Sequence, residues 1–74
     1  MNDQVVRLIY PASLLKVPVI NQLIRQYDLT VNILRAQIGS GENWLELQLA
    51  GNSTEIDDAI AWLKNQGIEV QIEP

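Results

Sequence analysis

The sequence predicts an α+β sandwich of order β-α-β-β-α-β, a four-stranded antiparallel sheet with two helices on one face. Three observations predict it. Two segments carry apolar residues at helical spacing, four others alternate them with period two, and 74 residues leave no room for a second core. Right-handed crossovers then give this order few other arrangements.

Val5 to Tyr10 is short, rich in β-branched residues and stopped by Pro11, which marks a strand. Its alternation sets Val6, Leu8 and Tyr10 on one face and Val5, Arg7 and Ile9 on the other. Residues 12–17 form a connection with an unusually apolar Leu14-Leu15 pair, which either covers the end of the domain or meets a partner. From Pro18 to Tyr27 the pattern is helical. Ile20, Leu23, Ile24 and Tyr27 make one apolar stripe, and Pro18 suits the first turn, where its missing N–H costs nothing.

Leu29 to Ile38 reads as a long strand. Leu29, Val31 and Ile33 share one side; Thr30, Asn32, Leu34, Ala36 and Ile38 share the other if no bulge intervenes. Both faces are apolar, more than a strand buried on one face needs. The cluster Gly39-Ser40-Gly41-Glu42-Asn43 is a turn, and Trp44 to Ala50 completes a hairpin with Leu45, Leu47 and Leu49 facing the helices.

Asn52 or Ser53 caps the second helix, with Glu55 placed as a capping-box acceptor and Asp57 and Asp58 suited to the positive helix end. Ile56, Ala59, Ile60 and Leu63 form its buried stripe, Trp62 lies beside it and Gly67 stops it. Ile68, Val70 and Ile72 alternate with Glu69, Gln71 and Glu73 in a last strand. The whole is a ferredoxin-like, or ACT-like, sandwich in one domain, residues 1–74 with a core of about 4–73. In its spatial order 4-1-3-2 the strand 29–38 is an edge, open to pairing with a second copy.

Composition narrows the function. With 19% charged residues, a net charge of −4 and five basic residues against nine acidic ones, the chain has no basic footprint for nucleic acid. The absence of cysteine and histidine removes thiolate nucleophiles, Ser-His triads and ordinary zinc ligation, so no enzyme, cofactor or metal centre is expected. Glu55, Asp57 and Asp58 are explained by their place at a helix start, and Gly39-Ser40-Gly41 is no phosphate loop because neither a helix nor a lysine follows. No basic leader or long apolar run suggests export or membrane insertion, so the expected location is cytoplasmic.

Thr30-Val31-Asn32-Ile33-Leu34 contains the Asn-Ile-Leu that names the NIL domain. Pro18-Val19-Ile20 before Leu23, Ala36-Gln37-Ile38, Leu45-x-Leu47-x-Leu49-x-Gly51 and Ala59-Ile60-Ala61-Trp62-Leu63 with Gly67-Ile68-Glu69-Val70 extend the resemblance over about residues 4–73. Domains of this family end the ATPase subunits of methionine-import transporters. They also occur as small separate proteins and beside iron–sulfur domains, notably in cyanobacteria and archaea. Two departures stand out: Leu14-Leu15 replaces a polar stretch, and Asn43 aligns with a frequent glycine, a substitution that asparagine's tolerance of positive φ would allow.

The resemblance implies a homodimer formed through the motif strand and an amino-acid ligand, methionine in transporter members, near its interface. The family's functional asparagine maps onto Asn32, whose amide offers two donors and two acceptors. Asn32 is thus the first expected ligand contact, against a purely structural reading. Leu34, Ala36 and Ile38 would form a slot for a thioether or serve simply as core or interface residues. Val31, Ile33, Leu34, Ala36 and Trp44 are the expected dimer interface. Arg7 and Arg35 could hold a carboxylate or make salt bridges to Glu46 or Glu69. The alternative function is a ligand-free protein-interaction module linked to sulfur or iron–sulfur metabolism. Seven acidic residues against one lysine after Ser40 favour a basic partner for it.

Overall fold

A computed structural model describes residues 2–39 and 41–74. The order is β1 (Asn2–Tyr10), a 3-10 turn (Ala12–Leu14), α1 (Val19–Gln26), β2 (Thr30–Gln37), β3 (Asn43–Gly51), α2 (Ser53–Asn65) and β4 (Glu69–Glu73). The sheet runs β2-β3-β1-β4, antiparallel throughout, as the α+β reading expects. Ser40, in the predicted turn, and Met1 lie outside the described residues.

Strand β1 begins three residues before the predicted start. Its polar Asn2, Asp3 and Gln4 add nothing to the apolar core, but backbone pairing with Gly51, Ala50 and Leu49 carries the strand outward, and the half-buried Gln4 Nε2 donates to the Glu73 carbonyl at 2.8 Å. The core lies between sheet and helices, with Val6, Leu8, Leu23, Leu47, Leu49, Ala59 and Leu63 fully buried. Leu14 packs against this core while Leu15 remains 37% exposed, so the apolar pair is split between covering and display.

Of the predicted α1 stripe, Leu23 is buried and Ile20 and Tyr27 pack against the core, but Ile24 does not and Val19 takes its place. The helix has eight residues and buries Val19 and Leu23, one turn apart, leaving Ile24 48% exposed. A side chain about 100° round from Leu23 cannot also point at the sheet. Pro18 is the residue before the helix, not its first turn.

Helix α2 is capped by Asn52, whose Oδ1 accepts from the Glu55 N–H at 2.8 Å. The expected reciprocal bond of a capping box is replaced: Glu55 Oε2 accepts from the Asp28 N–H at 3.0 Å and ties α2 to the α1–β2 connection. Gly67 ends the helix at φ 92°, a backbone state that favours glycine.

The main departure is a β-bulge in β2. Ile33 pairs with Leu47 and Arg35 with Glu46, leaving Leu34 as the extra residue. Ahead of the bulge Val31 and Ile33 face the helices, as predicted; beyond it Ala36 does so, opposite Leu45, instead of lying on the open face. Only Val31 and Leu29 of this strand region pack against the core, so most of its apolar surface is exposed and not doubly buried.

Asn43 does not use positive φ, since among the described residues only Gly41 and Gly67 do. It is buried and bridges the hairpin turn instead. Its Oδ1 accepts from the Gly39 N–H at 2.9 Å and its Nδ2 donates to the Gly41 carbonyl at 3.4 Å.

Candidate binding site on β2 and the open sheet face

Cross-strand register arranges the helix-free face in rows. One row runs Gln71, Arg7, Glu46 and Arg35; the next runs Glu73, Val5, Gln48 and Asn32. Although no helix covers this face, Glu46 is only 7% exposed. Arg35 lies over it with two parallel bonds, Nε to Oε1 at 3.1 Å and Nη2 to Oε2 at 3.0 Å. Arg7 approaches from the other side, with Nη2 3.9 Å from the same Oε2 and Nε 3.7 Å from Glu73 Oε1.

Trp44 completes the cluster. The Arg7 guanidinium carbon is 4.2 Å from the indole centroid and that of Arg35 5.8 Å, so one ring faces two cations. Hydrogen bonding from Arg35 holds the Glu46 carboxyl below its usual range, reinforced by the charges of both arginines and opposed by burial. Both arginines therefore pair with Glu46 as one expectation had it. Glu73, missed in the sequence, takes the place expected for Glu69, which accepts from Gln71 instead.

Asn32 is exposed, opposite Gln48, and among the described residues no protein group hydrogen-bonds its amide. Gln48 Nε2 donates to Asp3 Oδ2 at 3.4 Å, which brings a carboxylate to the same face. The apolar residues expected to join Asn32 lie elsewhere. Leu34 is the bulge residue, Ala36 faces the helix side and Ile38 follows the strand at 60% exposure. Within one chain these four residues do not form a single slot. Of the expected interface, Ile33 and Leu34 are 53% and 43% exposed, Val31 is half-buried, and Trp44 sits under Arg7 on the opposite face from Ile33. Gln48 went unrecognised as a site residue and Glu46 was expected only as a salt-bridge partner, although the alternation of β3 already set both on the face of Trp44.

No group of three potential metal-binding side chains occurs among the described residues. A cavity of about 290 Å³ lies at the opposite edge, lined by Asp3, Gln4, Val5, Ile72, Glu73 and Pro74, away from β2.

The NIL domain family model matches residues 4–72. This chain belongs to the NIL domain family. The uncharacterized protein ssr2439 of Synechocystis sp. is 32% identical over 89% of this chain and 70% of its own length. The methionine import ATP-binding protein MetN of Helicobacter hepaticus is also 32% identical, over 90% of this chain but only 20% of its own length. The NIL chain thus spans about a fifth of such transporter subunits. The crystal structure of the C-terminal domain of an ABC transporter ATP-binding protein from Enterococcus faecalis superposes with a TM-score of 0.84 at 28% identity. It covers 96% of this chain and 83% of the other. The de novo designed protein Foldit4 shares the fold at a TM-score of 0.60 and 11% identity, so the fold by itself implies no function. Among the described residues of this NIL domain, no helix is long and apolar enough to cross a membrane.

Proposed function

We propose that this NIL domain is a non-catalytic, homodimeric regulatory module that binds a sulfur amino acid of the methionine class where two copies meet along β2. The observation that carries the reading is the two-sided character of that edge strand. Ile33 and Leu34 offer apolar surface at 53% and 43% exposure, while the Asn32 amide stands free on the open face. The methionine-import relatives supply the ligand class. Arg35 is already committed to Glu46, so the zwitterion's carboxylate and ammonium fall to the Asn32 amide and its neighbours Gln48 and Asp3. The thioether requires an apolar wall, and Leu34, Ala36 and Ile38 provide it only if a second copy brings its own β2 alongside. A module of this kind is expected to reside in the cytoplasm.

Calorimetry and NMR titration with methionine, cysteine and homocysteine, joined to sedimentation velocity with and without methionine, test the reading. It expects heat with methionine, amide shifts at Asn32 and a ligand-linked dimer. No heat and no shift at millimolar ligand would overturn it. The acidic second half of the chain favours a second reading, a ligand-free module docking a basic protein of sulfur or iron–sulfur metabolism. Co-purification that recovers only the homodimer counts against that one.

A further inference from the structure

Strand β4 ends the sheet on the side away from β2. It pairs with residues 5–9 of β1, whereas β1 runs on through Asn2, Asp3 and Gln4, which are paired to β3 alone. The step left beside them holds the cavity of about 290 Å³ lined by Asp3, Gln4, Val5, Ile72, Glu73 and Pro74, so the step and the end of β4 form one surface. Its wall is tied in place: Gln4 Nε2 donates to the Val5 carbonyl at 3.0 Å and to the Glu73 carbonyl at 2.8 Å.

Those two carbonyls point into the β1–β4 junction. Main-chain groups alternate sides along an antiparallel strand, so Glu69, Gln71 and Glu73 turn theirs to β1 and Val70 and Ile72 turn theirs outward. Among the described residues no strand pairs with this outer side. Side chains alternate as well. Val70 and Ile72 lie on the helix side opposite Leu8 and Val6, with Ile72 52% exposed, and Glu69, Gln71 and Glu73 lie on the open face. The edge thus carries a carboxylate at each end, and Asp3 adds a third in the step. Arg7 meets them only in part: its Nε is 3.7 Å from Glu73 Oε1 without hydrogen-bonding it, and its Nη2 faces Glu46. Among the described residues Lys64 pairs with neither glutamate of β4.

We propose that β4 receives, as a fifth strand, an extended segment of another protein in which basic and apolar residues alternate. The outward main-chain groups of Val70 and Ile72 supply the hydrogen bonds of the new ladder. Apolar side chains of the segment continue the helix side beside Ile72, and lysines or arginines stand opposite Glu69 and Glu73. A long basic side chain at the segment's end reaches Asp3 in the step. A second copy is the poorer occupant. Antiparallel pairing of two β4 strands about Gln71 sets Glu69 of each copy against Glu73 of the other, and like charges directly opposite destabilise. Pairing along five residues gives a weak contact that salt weakens further. This gives the basic partner of the second reading a place and a form, and it is independent of methionine at β2, the opposite edge.

The test is an NMR titration of the ¹⁵N-labelled chain with the blocked peptide Arg-Lys-Val-Thr-Val-Lys, and with Lys-Lys-Arg-Thr-Val-Val as a scrambled control. Slower hydrogen exchange is expected at the Val70 and Ile72 amides, with shifts along residues 69–73 and at Asp3 and Gln4, all weakening as salt is raised. Ile72→Pro removes an outward N–H that β1 does not use, at an edge where proline is tolerated, and should weaken binding roughly tenfold. Glu69→Gln/Glu73→Gln leaves the backbone intact and should weaken it about threefold or more; this variant decides if Ile72→Pro unfolds. Three results overturn the proposal: no slowing at Val70 and Ile72, equal effects of the scrambled peptide, or slowing that follows protein concentration without peptide. Amide shifts at Asn32 with methionine and co-purification of a basic protein are separate readouts, so either reading of function can stand while this one fails.

Discussion

Arg35 grips both oxygens of Glu46, and the bulge at Leu34 is what sets the two side chains opposite each other. Regular pairing continued from Ile33 and Leu47 would place Leu34 against the carboxylate and Arg35 opposite Leu45, on the helix side. One extra residue removes both conflicts. It also kinks the edge, a device that limits uncontrolled strand addition. Deleting Leu34 should consequently preserve the Arg35–Glu46 and Ala36–Leu45 pairings while straightening β2. Cross-strand NOEs check this; a register slip toward Gln37 would contradict it.

The same pair has a pH signature. Because Arg35 depresses the Glu46 pKa in the folded state, this group adds stability that is present above the unfolded glutamate value of about 4.3 and is lost as pH falls through the lower folded value. Urea midpoints should drop as the solution is acidified below that range. In Glu46→Gln this part of the acid limb should be absent, and carboxyl NMR of the parent chain should show Glu46 titrating below the ordinary glutamate value.

Helix α2 depends on a single side-chain cap. Removing the Asn52 oxygen leaves the Glu55 N–H without its 2.8 Å acceptor, so Asn52→Ala should cost about 1 kcal/mol in urea unfolding. Asn52→Asp should retain the stability.

Most of the fold was legible because it rests on local patterns. The alternation in β3, the helical spacing of Ile56, Ala59 and Leu63, and Gly67 as a stop each fix an element independently of its neighbours. The site was less legible because its geometry is set between strands. Nothing within Thr30–Gln37 announces that Leu34 is extra; that follows from Arg35 meeting Glu46, which lies eleven residues away in the chain. Ile24 misled for a related reason. A short helix buries a narrow stripe, and its spacing does not say which apolar flank is left in water.

Gly51 closes β3 where the α1–β2 connection passes. A Cβ there would stand 2.7 Å from Leu29 Cδ2 and 3.2 Å from the Asp28 carbonyl oxygen. The leucine methyl can turn away, but the backbone oxygen yields less readily. Gly51→Ala should therefore destabilise by about 1–3 kcal/mol, measured by denaturant unfolding.

The two sheet edges give the proposed dimer its sharpest test. Leu34 on β2 and Ile72 on β4 are both apolar and exposed, at 43% and 52%, so neither aspartate substitution removes a fully buried side chain. If β2 is the junction, Leu34→Asp places a charge and its copy at the contact, whereas Ile72→Asp places one at the far edge. Dissociation of a dimer makes Tm depend on protein concentration, and a loss of association appears as a larger loss of Tm at high concentration. Leu34→Asp should shift sedimentation toward the monomer and remove the concentration dependence of Tm. Ile72→Asp should leave both as they are in the parent chain. The opposite ranking would move the interface to β4, and equal insensitivity would mean that a single copy of this small core is stable alone.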